Sequence, residues 1–274
     1  MSVVGQDDLA AYLDRLVARY ETRTFIATDP ISIPIAFDDP RDQEVIGLFA
    51  ALLAWGRRET ILKKMAELCE RMRYRPYEFV RAFRAGGEGA RALHGFGHRT
   101  FRPDDAVHLT AALGSLLRRN DSLEDVFAAG LDRDASDIGG AIQSFSTTVM
   151  QALPDTPARL QKHLARPQAG SACKRLCMYL RWMVRKGPVD LGIWTRIRTD
   201  QLVLPLDVHS GRQARALGLL TRKANDWRAA LELTAACRTF SPDDPGRYDF
   251  ALFGPGAFGD GLDPQFVVPV SSDR

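Results

Sequence analysis

Apolar residues recur at helical spacing from the start of the chain. Leu9, Leu13, Leu16, Val17 and Tyr20 share one face and predict a helix over 7–21. The Pro-containing stretch TDPISIPIAFDDP interrupts that pattern and predicts an extended strap. Asp39-Pro40 then supplies a cap and a first-turn proline. Val45, Ile46, Leu48, Phe49, Leu52 and Leu53 make the next helix apolar over a broad face, so it is expected at the centre, ending near Trp55-Gly56. RRETILKKMAELCERM hides Ile61, Leu62, Met65, Leu68 and Cys69 and leaves a basic face outside. Pro76 opens a short helix, GGEG breaks the chain, and Pro103 begins a helix that ends at Arg118-Arg119. Further helices are predicted over 122–130 and 137–153, with another opening at Thr156-Pro157.

The second half continues in this style. A helix starts at Lys174, runs through Leu176, Tyr179, Leu180 and Met183, and ends near Lys186-Gly187-Pro188. Asp190 is placed to cap a short turn through Ile193, Trp194 and Ile197, and QLVLPLD reads as an extended approach. Asp207 sits where a helix N-cap belongs and Gly218 where a C-cap belongs. A helix follows over 226–237, and a last one begins near Asp244-Pro245. With no alternating strand pattern, heptad or internal repeat, the expectation is an all-α protein. Residues 1–255 form one unit, and 256–274 are a loose tail.

Composition narrows this little, but charge does. The net charge is +3, unevenly spread. Residues 1–54 carry 4 basic and 9 acidic side chains, residues 55–120 carry 14 and 7, and residues 174–228 carry 12 and 4. Two basic regions in a nearly neutral chain predict a basic face for a polyanion. No apolar run approaches the length of a membrane helix, and MSVVGQDDLAAYLDR lacks the apolar core of a secretory signal, so no membrane partner and a cytoplasmic location are expected. Cys69, Cys173, Cys177 and Cys237 lack metal-site spacing and read as reduced, buried thiols; no metal or cofactor is expected.

The chemistry centres on residues 170–209. AGSACK places small residues before a helix, where backbone can approach another molecule and free N–H groups can meet phosphate. A lysine there, desolvated and near other cations, would favour the neutral, nucleophilic amine. A solvated helical lysine is the plain alternative for Lys174, and a purely structural cap the plain alternative for Asp207. A capping carboxylate is also rigid and ionised, which suits stabilising positive charge on a sugar.

PLDVH followed by RALGL resembles the V-D-x-H segment of the helix-hairpin-helix DNA glycosylases, the endonuclease III superfamily. GSACK is similar to their hairpin G-x-G-x-K in the offset from Gly170 to Lys174, with Ala172 at the second glycine. FAALLAWGRRETILKKMAEL resembles the helix–turn–helix around their base pocket, and GFGHRTF (95–101) a G-x-x-x-K-A-like turn. The separation of Lys174 and Asp207 is similar to that in the archaeal 8-oxoguanine glycosylase branch. The chain also resembles a bacterial family of uncharacterised proteins carrying K-R-L-x-M-x-L-R-W-M-V-R and Y-D-F-A-L-F-G.

The resemblance implies two helical lobes with an interlobe cleft, a monomer, and duplex DNA with a flipped nucleotide as partner. It implies a base-excision glycosylase with lyase activity on an oxidised purine such as 8-oxoguanine. Lys174 would attack the sugar and Asp207 assist it. Trp55, Trp194 and Phe253 would wall the base pocket, with Asp249 on a purine edge. Gly170, Ser171, Arg57, Arg58, His209 and Arg212 would meet DNA, with Arg215 on the same basic face. The family's four-cysteine iron–sulfur cluster has no counterpart, since only Cys237 follows Asp207. Two alternatives remain open: a non-catalytic nucleic-acid-binding protein of this fold, and an enzyme acting on modified thymines in DNA.

Overall fold

The computed structural model describes residues 5–268. Its fourteen α-helices form no β-sheet among the described residues; two isolated bridges, His98 with Phe101 and Ser171 with Asp226, are the extended pairings. The first half comprises α1 (Gln6–Tyr20), α2 (Arg23–Ile26), α3 (Ser32–Ile35), α4 (Pro40–Leu53), α5 (Arg58–Arg71), α6 (Pro76–Ala82) and α7 (Glu88–Ala92). The second comprises α8 (Pro103–Leu117), α9 (Leu123–Ala128), α10 (Gly139–Gln151), α11 (Lys174–Val184), α12 (Val208–Ala216), α13 (Trp227–Arg238) and α14 (Asp249–Phe258). No helix among the described residues is long and apolar enough to cross a membrane.

Helix α4 is the axis. Asp39 caps it by accepting from Arg41 N at 2.8 Å, with Pro40 in the first turn. Val45 to Leu53 are all essentially inaccessible, because α3, α6 and α11 pack around this helix. One polar residue lies inside: Glu44 accepts from Leu123 N and from Trp194 Nε1, each at 3.0 Å. Burial pushes its carboxyl up to about 7 against those hydrogen bonds. Helices α8, α9 and α10 extend the core, with Phe127 and Phe145 stacked at 3.9 Å.

Helix α11 carries the site at one end and a buried ionic network at the other. Arg181 donates to Asp190 at 3.2 Å and pairs with Asp249. Arg185 donates to Asp190 at 2.6 Å, to Glu21 at 2.9 Å, and to both oxygens of Asp244. Both arginines are about 95% inaccessible, so each charge is answered by carboxylates rather than water.

Three expectations are corrected. The strap over 28–40 is not extended. Asp29 accepts from Ile31 N at 3.1 Å in a local turn, and Pro34 falls in the first turn of α3, where no N–H is needed. Asp190 does not cap a helical turn, because Arg181 and Arg185 engage both its oxygens; residues 191–198 are irregular. After Thr156-Pro157 the chain makes a 3₁₀ turn, Ala158–Lys162, rather than an α-helix.

The chain after Gly254 is not a loose tail. Helix α14 continues through Pro255 to Phe258 and stops at Gly259, whose φ is +78°. The return over 260–268 lies on α1: Tyr12 stacks on Phe266 at 4.2 Å, Tyr20 stacks on Phe258 at 5.6 Å, and the Tyr20 hydroxyl donates to Asp260 at 2.6 Å. Gly254 is required there, since a Cβ would lie 2.3 Å from the Tyr20 ring. Aromatic docking thus holds the stretch that was expected to be loose. Residues 269–274 lie outside the described residues.

Candidate functional site

Lys174 is placed by a strained turn. The 3₁₀ segment Pro167–Ala169 ends at Gly170, φ +77°, whose outer face is open: nothing lies within 4 Å of an added Cβ. Ser171 Oγ accepts from Cys173 N at 3.1 Å, and Cys173 adopts a left-handed φ of +51° as N-cap of α11. Burial pushes the Cys173 thiol up to about 12, so it is an inert structural group. All four cysteines are free and buried. Ala172, where the hairpin pattern has its second glycine, is itself buried, so its methyl leaves the outer surface of the turn clear. Arg175 anchors the first turn by donating to Leu52 O and lying 5.0 Å from the Trp55 ring.

Asp207 comes from the opposite direction. The extended segment 202–206 is buried and carries the chain to α12. Asp207 caps that helix through one oxygen: Oδ1 accepts from His209 N at 2.8 Å and Ser210 N at 2.9 Å. Ser210 Oγ returns the contact by accepting from Asp207 N at 2.9 Å. Asn225 donates to Asp207 O at 3.0 Å, and its own oxygen is held by Arg215. Oδ2 is left for Lys174, whose Nζ stands 3.2 Å away. Burial raises the Asp207 carboxyl, but the Lys174 ammonium and the capping N–H groups outweigh it and hold it below its usual range. The pair remains reachable from solvent, with side-chain exposures of 31% and 23%. Lys174 thus has Asp207 as its ion-pair partner.

The pair opens into a cleft of about 920 Å³, with Phe25, Phe250, Phe253 and Trp55 among its walls. Of the expected base-pocket residues, Trp55, Asp249 and Phe253 line this cleft. Trp194 does not. It is buried with its indole N–H on Glu44 and its ring edge-on to Tyr179 at 5.4 Å, because an indole donor inside the core needs an acceptor and Glu44 provides one. Arg58, Ser171 and His209 line the cleft; Gly170, Arg57 and Arg212 are exposed. Arg215 departs from the basic face, since it donates to Arg222 O, Lys223 O and Asn225 and so clamps the 222–225 loop. No group of three His, Cys, Asp or Glu side chains fit to hold a metal ion occurs among the described residues.

A family model described as a protein of unknown function (DUF2400) matches residues 29–258. The chain belongs to this family. The DUF2400 match contains Lys174, Asp207 and the cleft residues Asp249 and Phe253. No curated protein and no solved structure matches the chain.

Several cleft residues of this DUF2400 protein carry no signal in local sequence. Asp29 comes from the stretch expected to be an extended strap, Phe25 from the short helix α2 before it, and Gly256 and Ala257 from the stretch expected to be a loose tail. Arg181 and Phe250 read as ordinary helix positions; only their packing, with the guanidinium 4.4 Å from the ring, brings them to the cleft. Asn225 would have been visible only as a polar turn residue before a helix.

Proposed function

We propose that this protein is a DNA base-excision glycosylase with lyase activity, of the helix-hairpin-helix type, acting as a monomer in the cytoplasm on an oxidised purine. The observation that carries the reading is the Lys174–Asp207 pair. Two residues 33 apart in sequence are brought within 3.2 Å at the first turn of α11 and the cap of α12, beside an aromatic-walled cleft. In this reading the cleft separates two helical lobes, and the 166–173 turn is the hairpin that meets the DNA backbone.

The chemistry follows from that geometry. A glycosidic bond inside a duplex is out of reach, so the nucleotide must turn out into the cleft. Asp207 Oδ2 takes a proton from the Lys174 ammonium, and the freed amine attacks C1′. The bond from C1′ to the base breaks, and the base leaves with the bonding electrons and takes up a proton. Opening of the sugar gives an iminium between Nζ and C1′, and loss of a C2′ proton then breaks the C3′–O bond. Asp207, held by two backbone N–H groups, offers its charge to the positive sugar without reorganising. Trp55 and Phe253 offer faces to the base, and Gly170, Ser171, Arg57, Arg58, His209 and Arg212 face the phosphates.

The test is borohydride trapping on duplexes containing an abasic site or 8-oxoguanine. Reduction of the iminium leaves a stable amine, read as a covalent protein–DNA band. Wild-type protein should trap and Lys174→Gln should not. A wild-type protein that binds these duplexes but never traps would replace the enzyme with a binding protein of the same fold.

A further inference from the structure

Two carboxyls in the cleft take no part in the chemistry assigned to Lys174 and Asp207. Asp249 opens α14, and Asp29 lies between α2 and α3; both are 8% exposed and both line the cleft. Each has one oxygen engaged. Asp29 Oδ1 accepts from Ile31 N at 3.1 Å, and Asp249 Oδ2 is held by Arg181. No donor among the described residues reaches Asp29 Oδ2 or Asp249 Oδ1.

Three cations of the same cleft are already committed. Arg175 donates to Leu52 O and Lys162 O, Arg181 pairs with Asp190 and Asp249, and Lys174 faces Asp207. Arg58 and the Trp55 indole N–H, which has no acceptor among the described residues, also line the cleft, so it offers donors as well as the two open carboxylate oxygens. Those oxygens stay open to the cleft, and a ligand that supplies N–H groups can donate to them. Burial pushes both carboxyls up, Asp249 to about 6, despite the lowering charges of Arg181 and Lys174. Phe25 meets Phe250 edge-on at 5.5 Å and Phe253 at 6.2 Å, forming an aromatic wall in the same cleft.

We propose that Asp29 and Asp249 form a donor-reading floor that selects a base presenting N–H groups. This rests on the excision reading of the cleft and adds a selection rule to it. The N–H groups could be a purine's own ring and exocyclic donors, or an amine carried on an arm of a pyrimidine. At these two oxygens a group that presents only a carbonyl oxygen, or a phosphate, meets like polarity. Asp29 is a specificity residue in this scheme, and its contribution is independent of the amine chemistry.

The experiment measures equilibrium binding of duplexes made uncleavable by a 2′-fluoro sugar at one position. One pair compares 8-oxoguanine with 8-oxohypoxanthine, which lacks only the 2-amino group. The other compares 5-aminoallyluracil with thymine. Wild-type protein should prefer the donor-bearing member of at least one pair by roughly tenfold, the value of a hydrogen bond to a charged acceptor. The pair that shows it identifies the source of the donors. Asp29→Asn and Asp249→Asn should each collapse that ratio toward one; taking a ratio within each variant removes general losses of affinity. A ratio of one in both pairs for wild type, or a ratio unmoved by both variants, overturns the proposal. Trapping by wild-type protein at an abasic site, where no base is present, reports the excision reading separately. Trapping without preference defeats the floor alone, and preference without trapping defeats the lyase and keeps the floor.

Discussion

Helix α11 has an ion pair at its first residue and a network at its last turn, and the two are built differently. At the far end Arg181 and Arg185 are nearly inaccessible and contact four acidic residues: Asp190, Asp249, Glu21 and Asp244. Each arginine there has at least two carboxylate partners, and losing one arginine strands a carboxylate. At the near end Lys174 has a single partner and about a third of its surface free. A saturated network fixes α11 against α14 and the end of α1. A single, reachable pair can open and close without disturbing either. The contrast teaches that the same residue types on one helix serve stability where they are multiply held and suit chemistry where they are singly held.

This contrast can be broken from either end. The largest effect belongs to Lys174→Gln. Trapped adduct should fall by roughly three orders of magnitude or more, as expected when a sole nucleophile is removed. Its melting temperature should move little, since a part-exposed pair contributes only about 0–1 kcal/mol. Arg181→Met should do the reverse in kind, costing about 3–5 kcal/mol because Asp249 remains buried without its cation and Asp190 keeps only Arg185. Denaturant titration checks it; a loss below about 1 kcal/mol would erase the distinction between the two ends.

Asp207→Asn separates charge from capping. Asparagine caps as well as aspartate, so α12 should stay intact while base removal slows roughly 100-fold or more. Single-turnover excision alongside circular dichroism distinguishes the two contributions. The smallest effect is a pH dependence from the middle of the helix, where Tyr179 donates to Glu44 O. Burial places the Glu44 carboxyl at about 7 against an ordinary 4.5, so the folded state holds this proton more tightly than the unfolded one. The stability from this group is full below 4.5 and lost as pH rises through 7. His163, which burial pushes down to about 4 from 6.5, acts in the opposite sense, its contribution present above 6.5 and lost as pH falls toward 4. Between pH 8 and 6.5 Glu44 makes the largest of these contributions, with Asp249, about 6 when folded, acting in the same sense and His163 opposing. Wild-type melting temperature should rise on acidification across that window, and Glu44→Gln should flatten the rise.

The helices were legible wherever one face was apolar and a cap marked the start: α1, α4, α12 and α13 fall within one or two residues of their expected bounds. So was the all-α class. The approach of Asp207 to Lys174 was expected only through a resemblance, because no local pattern states what a 33-residue excursion brings together. The errors share a cause. In the 28–40 strap prolines suggested extension, yet Pro34 fits a first turn. The chain past Gly254 was expected to be loose, yet Tyr20 needs the space that Gly254 leaves. Trp194 looked like a cleft aromatic because nothing near it in sequence reveals that Glu44, 150 residues earlier, accepts its N–H. Asp29 was overlooked for the same reason. Each is a long-range contact that local propensity does not encode.

The docking of 260–268 onto α1 has a consequence for how the chain is made. Helix α1 leaves the ribosome well before α14 and the segment ending at Phe266, which cover its aromatic face. During synthesis Tyr12 and Tyr20 therefore stay exposed until the chain has been made as far as Phe266, and covering them joins segments 240 residues apart. Nascent chains stalled before Phe258 should accordingly be held by chaperones through α1, while chains released after Phe266 should not.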